Sequence, residues 1–143
     1  MAETVLVPVD DSAHARKAFE RAATAFEGAD LIVLHALDPF DVYSVTEEAV
    51  WDDEFRDRRE REAEALLAEY ESLADDLGVD VETRLAHGGP ERAILGAVDD
   101  LDVDQVVIGS RGRSGIGRVL LGSVAETVAR RSPVSVTIVR PEE

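Results

Sequence analysis

The sequence predicts a doubly wound α/β domain, an open parallel sheet of five strands with helices on both faces. Three observations carry that expectation. Short, β-branched apolar runs recur five times along the 143 residues. A segment with apolar residues at helical spacing separates each run from the next. No two strand-like runs follow one another directly, so every connection crosses over, and parallel strands joined by crossovers need both faces covered. The length suits one domain over residues 1–143 with a proper core.

Thr4–Val9 is the first buried strand. Ser12 is placed to cap a helix whose apolar positions Ala15, Ala18, Phe19, Ala22, Ala23 and Phe26 share one face, and Gly28 closes it. Asp30–Ala36 is the second strand, followed by a loop over Leu37–Glu48 that contains Pro39. A long amphipathic helix runs from about Val50 to Leu77. Its stripe is Phe55, Ala63, Leu66, Leu67, Tyr70, Leu73, Ala74 and Leu77, and its other face interleaves Arg with Glu. Gly78 stops it. Val79–Ala86 alternates like an edge strand, and Pro90 opens a helix to about Leu101. Residues 105–108 form a fourth strand, Ser123–Arg131 the last helix, and Val134–Val139 the closing strand after Pro133.

Composition narrows the chemistry. There is no cysteine, which excludes disulfides, thiolate metal sites and cysteine nucleophiles. The apolar start Val5–Val9 is cut off by Asp10 and Asp11, and no apolar run approaches the roughly 18 residues of a membrane span. A cytoplasmic location with no membrane or nucleic-acid partner is therefore expected. The net charge of −16 is unevenly placed. Residues 1–104 carry 28 acidic and nine basic side chains, whereas residues 105–141 carry six arginines (111, 113, 118, 130, 131 and 140) and one acid, Glu126. A positive field near the glycines of this region would suit a small polyanion. The alternative is that Arg130 and Arg131 serve a helix end and pair with acids. Lys17 is the single lysine against fourteen arginines, a surface that resembles the halophilic style.

The candidate site is the glycine-bearing segment after the fourth strand. Gly109 and Gly112 are followed, after nine intervening residues, by Gly122 and Ser123, at the mouth of the last helix. Glycines let a backbone approach a bulky anion, and the amides of a helix start are what a phosphate binds. The segment is not a Walker loop, because it holds no lysine. Nor is it a dinucleotide fingerprint, since the first turn here is Asp10-Asp11-Ser12. In open sheets ligands sit beyond the carboxyl ends of strands where the strand order reverses. With the first strand central, that crevice lies between Pro8-Val9-Asp10 and the glycine segment.

The Gly-x2-Gly-x9-Gly-Ser spacing resembles the nucleotide-binding signature of the universal stress protein family, in its ATP-binding subgroup. Leu6–Ser12 is similar to that family's start, Val33–Ala36 to its second strand, Leu120–Glu126 to its phosphate-proximal turn and Ser132–Val139 to its closing strand. The resemblance implies the strand order 3-2-1-4-5 and ATP in the crevice, with Mg or Mn bound only through the phosphates. It places Pro8, Val9 and Asp10 around the adenosine, with Asp10 near the ribose, and Ala36 in the adenine pocket. Gly109, Gly112, Gly122, Ser123 and Val124 would hold ribose and phosphates. Arg111 and Arg113 either neutralise phosphates or point to solvent. It also implies a homodimer through Val134–Val139, an apolar edge with no protective charge.

No catalytic residue is assigned, since nothing pairs a nucleophile with a base, and no protein ligand for a metal is evident. His14, His35 and His87 share no metal-ligand spacing; His35 is expected to be packed and His87 to lie in a turn. The reading is an ATP-binding stress-response or regulatory module with slow or no hydrolysis. The alternatives are a hydrolase or adenylyl-transfer enzyme of the same fold, or a nucleotide-free dimeric interaction protein.

Overall fold

The structure is a computed structural model that describes residues 2–37, 53–110 and 123–140. Along them run β1 (Thr4–Pro8), α1 (Ala13–Ala25), β2 (Asp30–Leu37), α2 (Asp53–Leu77), β3 (Val81–His87), α3 (Pro90–Asp100), β4 (Gln105–Gly109), α4 (Ser123–Arg131) and β5 (Ser135–Val139). The five strands form one sheet in the order β3-β2-β1-β4-β5, with every neighbouring pair parallel. The expected loop after Leu37 and the expected helix start near Val50 lie outside the described residues.

Strand alternation divides the core into two layers. Val5, Val7, Leu31, Val33 and Val107 pack against α1 and α2. Leu6, Ile32, Leu34, Val106 and Ile108 face the other way, onto Ile94 and Val98 of α3 and Ala125 and Val128 of α4. Such unbroken apolar strands belong to a sheet buried on both faces.

Helix ends follow local chemistry. Ser12 Oγ accepts from the Ala15 amide at 3.1 Å and caps α1. At the end of α2, Gly78 takes φ of 71°, its amide donates to Asp75 O at 3.1 Å, and the Val79 amide donates to Ala74 O at 2.9 Å. This is a Schellman closure. It explains a correction: β3 begins at Val81 rather than Val79, because the Val79 amide belongs to the helix cap. Leu77, placed in the buried stripe by its spacing, is instead exposed.

Two contacts fix α1 and α2 over the sheet. Gly109, the last residue of β4, lies under the first turn of α1. A Cβ built there would sit 2.5 Å from the His14 carbonyl oxygen and 2.8 Å from its carbon. No side chain fits that space. Tyr70, fully buried on α2, meets Phe19 of α1 edge to face, with ring centroids 5.4 Å apart. Its hydroxyl donates to the Asp10 carbonyl at 3.1 Å, so a core residue also ties down the β1–α1 turn.

Burial pushes the Tyr70 phenol well above its usual range, with the nearby carboxylates adding to the effect and Arg16 opposing it. The fold thus holds a neutral phenol that the unfolded chain releases at about pH 10. A raised folded pKa gives stability that is present below that pH and is lost as pH rises through the interval above it. Urea denaturation should show the wild type losing stability above about pH 10, with a shallower loss in Tyr70→Phe. At neutral pH Tyr70→Phe should cost about 1 kcal/mol through the unmet Asp10 carbonyl. Gly109→Ala should cost roughly 1–3 kcal/mol in the same experiment, because backbone rather than a mobile side chain must move.

Candidate functional site: a cleft at the carboxyl edge of the sheet

Crossovers run outward from β1 to β2 and β3 on one side, and through β4 to β5 on the other. The βα connections leave β1 and β4 toward opposite faces, which opens a crevice beyond their carboxyl ends. A cleft of about 450 Å³ occupies this place. Pro8, Val9 and Asp10 form one wall, Ile108 and Gly109 another, and Leu34, His35 and Ala36 at the end of β2 a third.

Three helix N-termini converge on it. Ser12, His14 and Ala15 come from the start of α1, Pro90 and Glu91 from α3, and Ser123, Val124 and Ala125 from α4. Parallel topology causes this: every helix that follows a strand begins at the sheet's carboxyl edge. Each such end brings partly positive amides and the positive pole of a helix dipole. Among the described residues α4 begins at Ser123.

The β1 wall is held by a set of hydrogen bonds. The Val9 amide donates to Leu34 O at 2.8 Å, continuing the sheet pairing past Pro8. His35 Nδ1 lies 2.8 Å from the Val9 carbonyl oxygen. Because that oxygen only accepts, the ring carries a hydrogen on Nδ1. The Ser12 amide donates to Asp10 Oδ1 at 2.9 Å, while Tyr70 secures the Asp10 carbonyl. On the outer side Arg16 reaches Asp11 at 2.8 Å and Glu69 of α2 at 3.1 Å. The hydrogen bond to Asp11 is the largest influence raising the Arg16 pKa, so this cation stays charged. These pairs are solvent-exposed and contribute at most about 1 kcal/mol.

Pro8, Val9, Asp10, Ala36, Gly109, Ser123 and Val124 all line this one cleft. Arg111, Gly112 and Gly122 lie outside the described residues. Ser110, next to Gly109, is fully buried with its amide bonded to Val139 O at 2.9 Å. Its hydroxyl has no partner among the described residues.

The charge distribution resolves one alternative. Arg130 and Arg131 stand in the last turn of α4, the end away from the cleft, and Arg130 pairs with Glu126 at 2.8 Å. They complement the helix dipole there and do not build a field at the cleft. Among the described lining residues there is no Lys or Arg; the titratable ones are Asp10, Glu91, His14 and His35.

Spacing did not reveal Glu91, Ile94 or Tyr70 as parts of the site. The signal for Glu91 and Ile94 was the helix start at Pro90, which parallel topology places at this edge. His35, expected to be packed, is half-buried and both braces Val9 and lines the cleft. His87, expected in a turn, ends β3 and meets Glu60 of α2 at 2.9 Å. No group of three or more potential metal ligands occurs among the described residues. No helix among them is long and apolar enough to cross a membrane.

Comparison with known proteins agrees across the whole chain. The family model described as the universal stress protein family matches residues 1–140. A putative universal stress protein of Staphylococcus aureus (strain USA300) is 34% identical over 145 residues, covering 99% of this chain and 86% of the relative. Among solved structures, a hypothetical protein whose structure served to assign its biochemical function superposes with a TM-score of 0.82 at 29% identity, covering 100% of this chain and 99% of the other. A universal stress protein in complex with cAMP gives a TM-score of 0.73 at 32% identity, covering 97% of each chain. With its strand order, its cleft and these likenesses together, this chain belongs to the universal stress protein family.

Proposed function

We propose that this chain binds ATP in the cleft and works as a nucleotide-dependent stress-response or regulatory module. The observation that carries the reading is the convergence of three helix N-termini with the ends of β1 and β4 on one cleft of about 450 Å³. That volume is in the range of small-molecule sites. A related structure, 32% identical, is a complex with cAMP, an adenine nucleotide.

In this reading the apolar part of the cleft, with Ala36, takes the base. Asp10, its carboxylate oriented by the Ser12 amide, takes the ribose hydroxyls. Gly109, Ser123 and Val124 lie toward the phosphates, joined by Arg111, Gly112 and Gly122. A divalent cation enters through the phosphates. Pro8 and Val9 form the wall beside the ligand, held by His35 and the β2 pairing. The donors suit an anion bound mainly by backbone amides and dipoles, which grip without supplying a catalytic base. Hydrolysis is accordingly slow or absent.

Titration calorimetry with ATP should show no measurable binding to Gly122→Val, whose side chain would fill phosphate space. Asp10→Ala should bind at least about tenfold more weakly, since a charged hydrogen-bond acceptor is lost. Unchanged affinity in both variants would refute the site.

The closing strand supports a homodimer through Val134–Val139. β5 is an edge strand, and Val136, Thr137, Ile138 and Val139 are each only partly buried. Thr137→Lys puts a charge on the edge and leaves the packed Val136 and Ile138 in place. Sedimentation should show folded monomers for this variant and dimers for the wild type; dimers in both would place the interface elsewhere.

A further inference from the structure

We propose that Glu91 reads the base of the nucleotide: its carboxylate accepts from the exocyclic amine of adenine, and so selects adenine over purines that carry an oxygen at that position. This rests on the nucleotide reading above, with Ala36 at the base, and goes beyond it by assigning the side chain that chooses among bases.

Position is the first support. Ile32 and Leu34 of β2 and Ile94 of α3 belong to one core layer, so α3 lies on the face of the sheet that those strand residues share. Ala36 is on the same face, two residues beyond Leu34 and about 7 Å nearer the carboxyl edge. Glu91 precedes Ile94 by three residues, on the same side of α3 and about 5 Å nearer that edge. Strand and helix thus reach the cleft together, and Ala36 and Glu91 both line it. The turn between β3 and α3 is pinned at the same place. Ala36 is in register with Ala86, and the Gly88 amide donates to Leu37 O at 3.0 Å before Pro90 opens the helix.

Chemistry is the second. Glu91 is half-buried and has no hydrogen-bond or ion-pair partner among the described residues. A carboxylate only accepts, so it takes an N–H from the adenine amine and repels the oxygen that hypoxanthine and guanine carry there. Leu34, Ala36, Pro90 and Ile94 make its side of the cleft apolar. In such surroundings a matched polar pair is stronger and a mismatched one costs more. The chain that follows β2, residues 38–52, holds no Lys or Arg to claim the carboxylate. Arg111, Arg113 and Arg118 follow β4, which β1 separates from β2 in the sheet. An acid in the first turn of α3 also complements the helix dipole, but that role is blind to the base.

Titration calorimetry comparing ATP with ITP isolates the base, because ribose and phosphates are the same in both; GTP is run in parallel. The wild type should bind ATP about tenfold more tightly than ITP. In Glu91→Gln the side-chain amide donates as well as accepts, so ITP binding should tighten, ATP binding weaken, and the ratio fall by about tenfold. Urea denaturation should show that the variant remains folded. A wild type that binds ATP and ITP alike, or GTP more tightly than ATP, overturns the role of Glu91 while the nucleotide site stands. A Glu91→Gln variant that weakens toward ATP and ITP by the same factor overturns it too, and points to the helix start or an arginine partner instead. A wild type that binds none of the three overturns the nucleotide reading itself, and this inference with it.

Discussion

The close seating of α1 on the end of β4 determines where almost every other part of the site can be. A Cβ at position 109 would collide with the backbone of His14, so α1 reaches this depth only over a glycine. Once it does, Ser12 closes its first turn and its amide holds Asp10 at the edge of the crevice. The residues α1 turns to the sheet are mostly alanines, Ala15, Ala18, Ala22 and Ala23, which keep the helix near it along its length. Phe19 is the exception, and it extends across to Tyr70 on the neighbouring helix. The glycine that sequence spacing assigns to a ligand therefore has a packing duty as well.

In this acidic chain the positive character of the cleft comes from the backbone. The helices that follow β1, β3 and β4 all begin at the carboxyl edge, so their free amides and dipole ends gather there whatever the surface carries. The arginines of the last helix are at its far end and serve the dipole there. Two carboxylates, Asp10 and Glu91, remain in the cleft. Carboxylates suit hydroxyl or amine donors better than anions, so the cleft is not uniform in charge.

One wall of the cleft is braced from two other elements. His35, from β2, holds the carbonyl of Val9, and Tyr70, from α2, holds that of Asp10. Both carbonyls lie just past the end of β1, where strand pairing gives out. A buried tyrosine needs a partner for its hydroxyl, and here that need ties the longest helix to the turn presenting Asp10. Arg16, between Asp11 and Glu69, makes a second, solvent-exposed tie between the same parts.

Much of the architecture was legible in the residues alone. Apolar strands separated by amphipathic helices imply a parallel sheet covered twice, and Ser12, Gly28, Gly78 and Pro90 mark helix ends by local backbone chemistry. The family resemblance that the glycine spacing pointed to named seven residues that do share one cleft. What the chain order did not disclose depends on contacts between distant elements. Periodicity placed Tyr70 in a stripe without saying that its hydroxyl would reach Asp10, and placed Leu77 there although it ends exposed. It placed Val79 in a strand because the Schellman closure that claims its amide is a matter of hydrogen-bond geometry. Local chemistry by itself determined which segments are strands and helices and where most of them stop. Only the tertiary structure decided which helix ends meet, because proximity between residues tens of positions apart follows from packing one face against another.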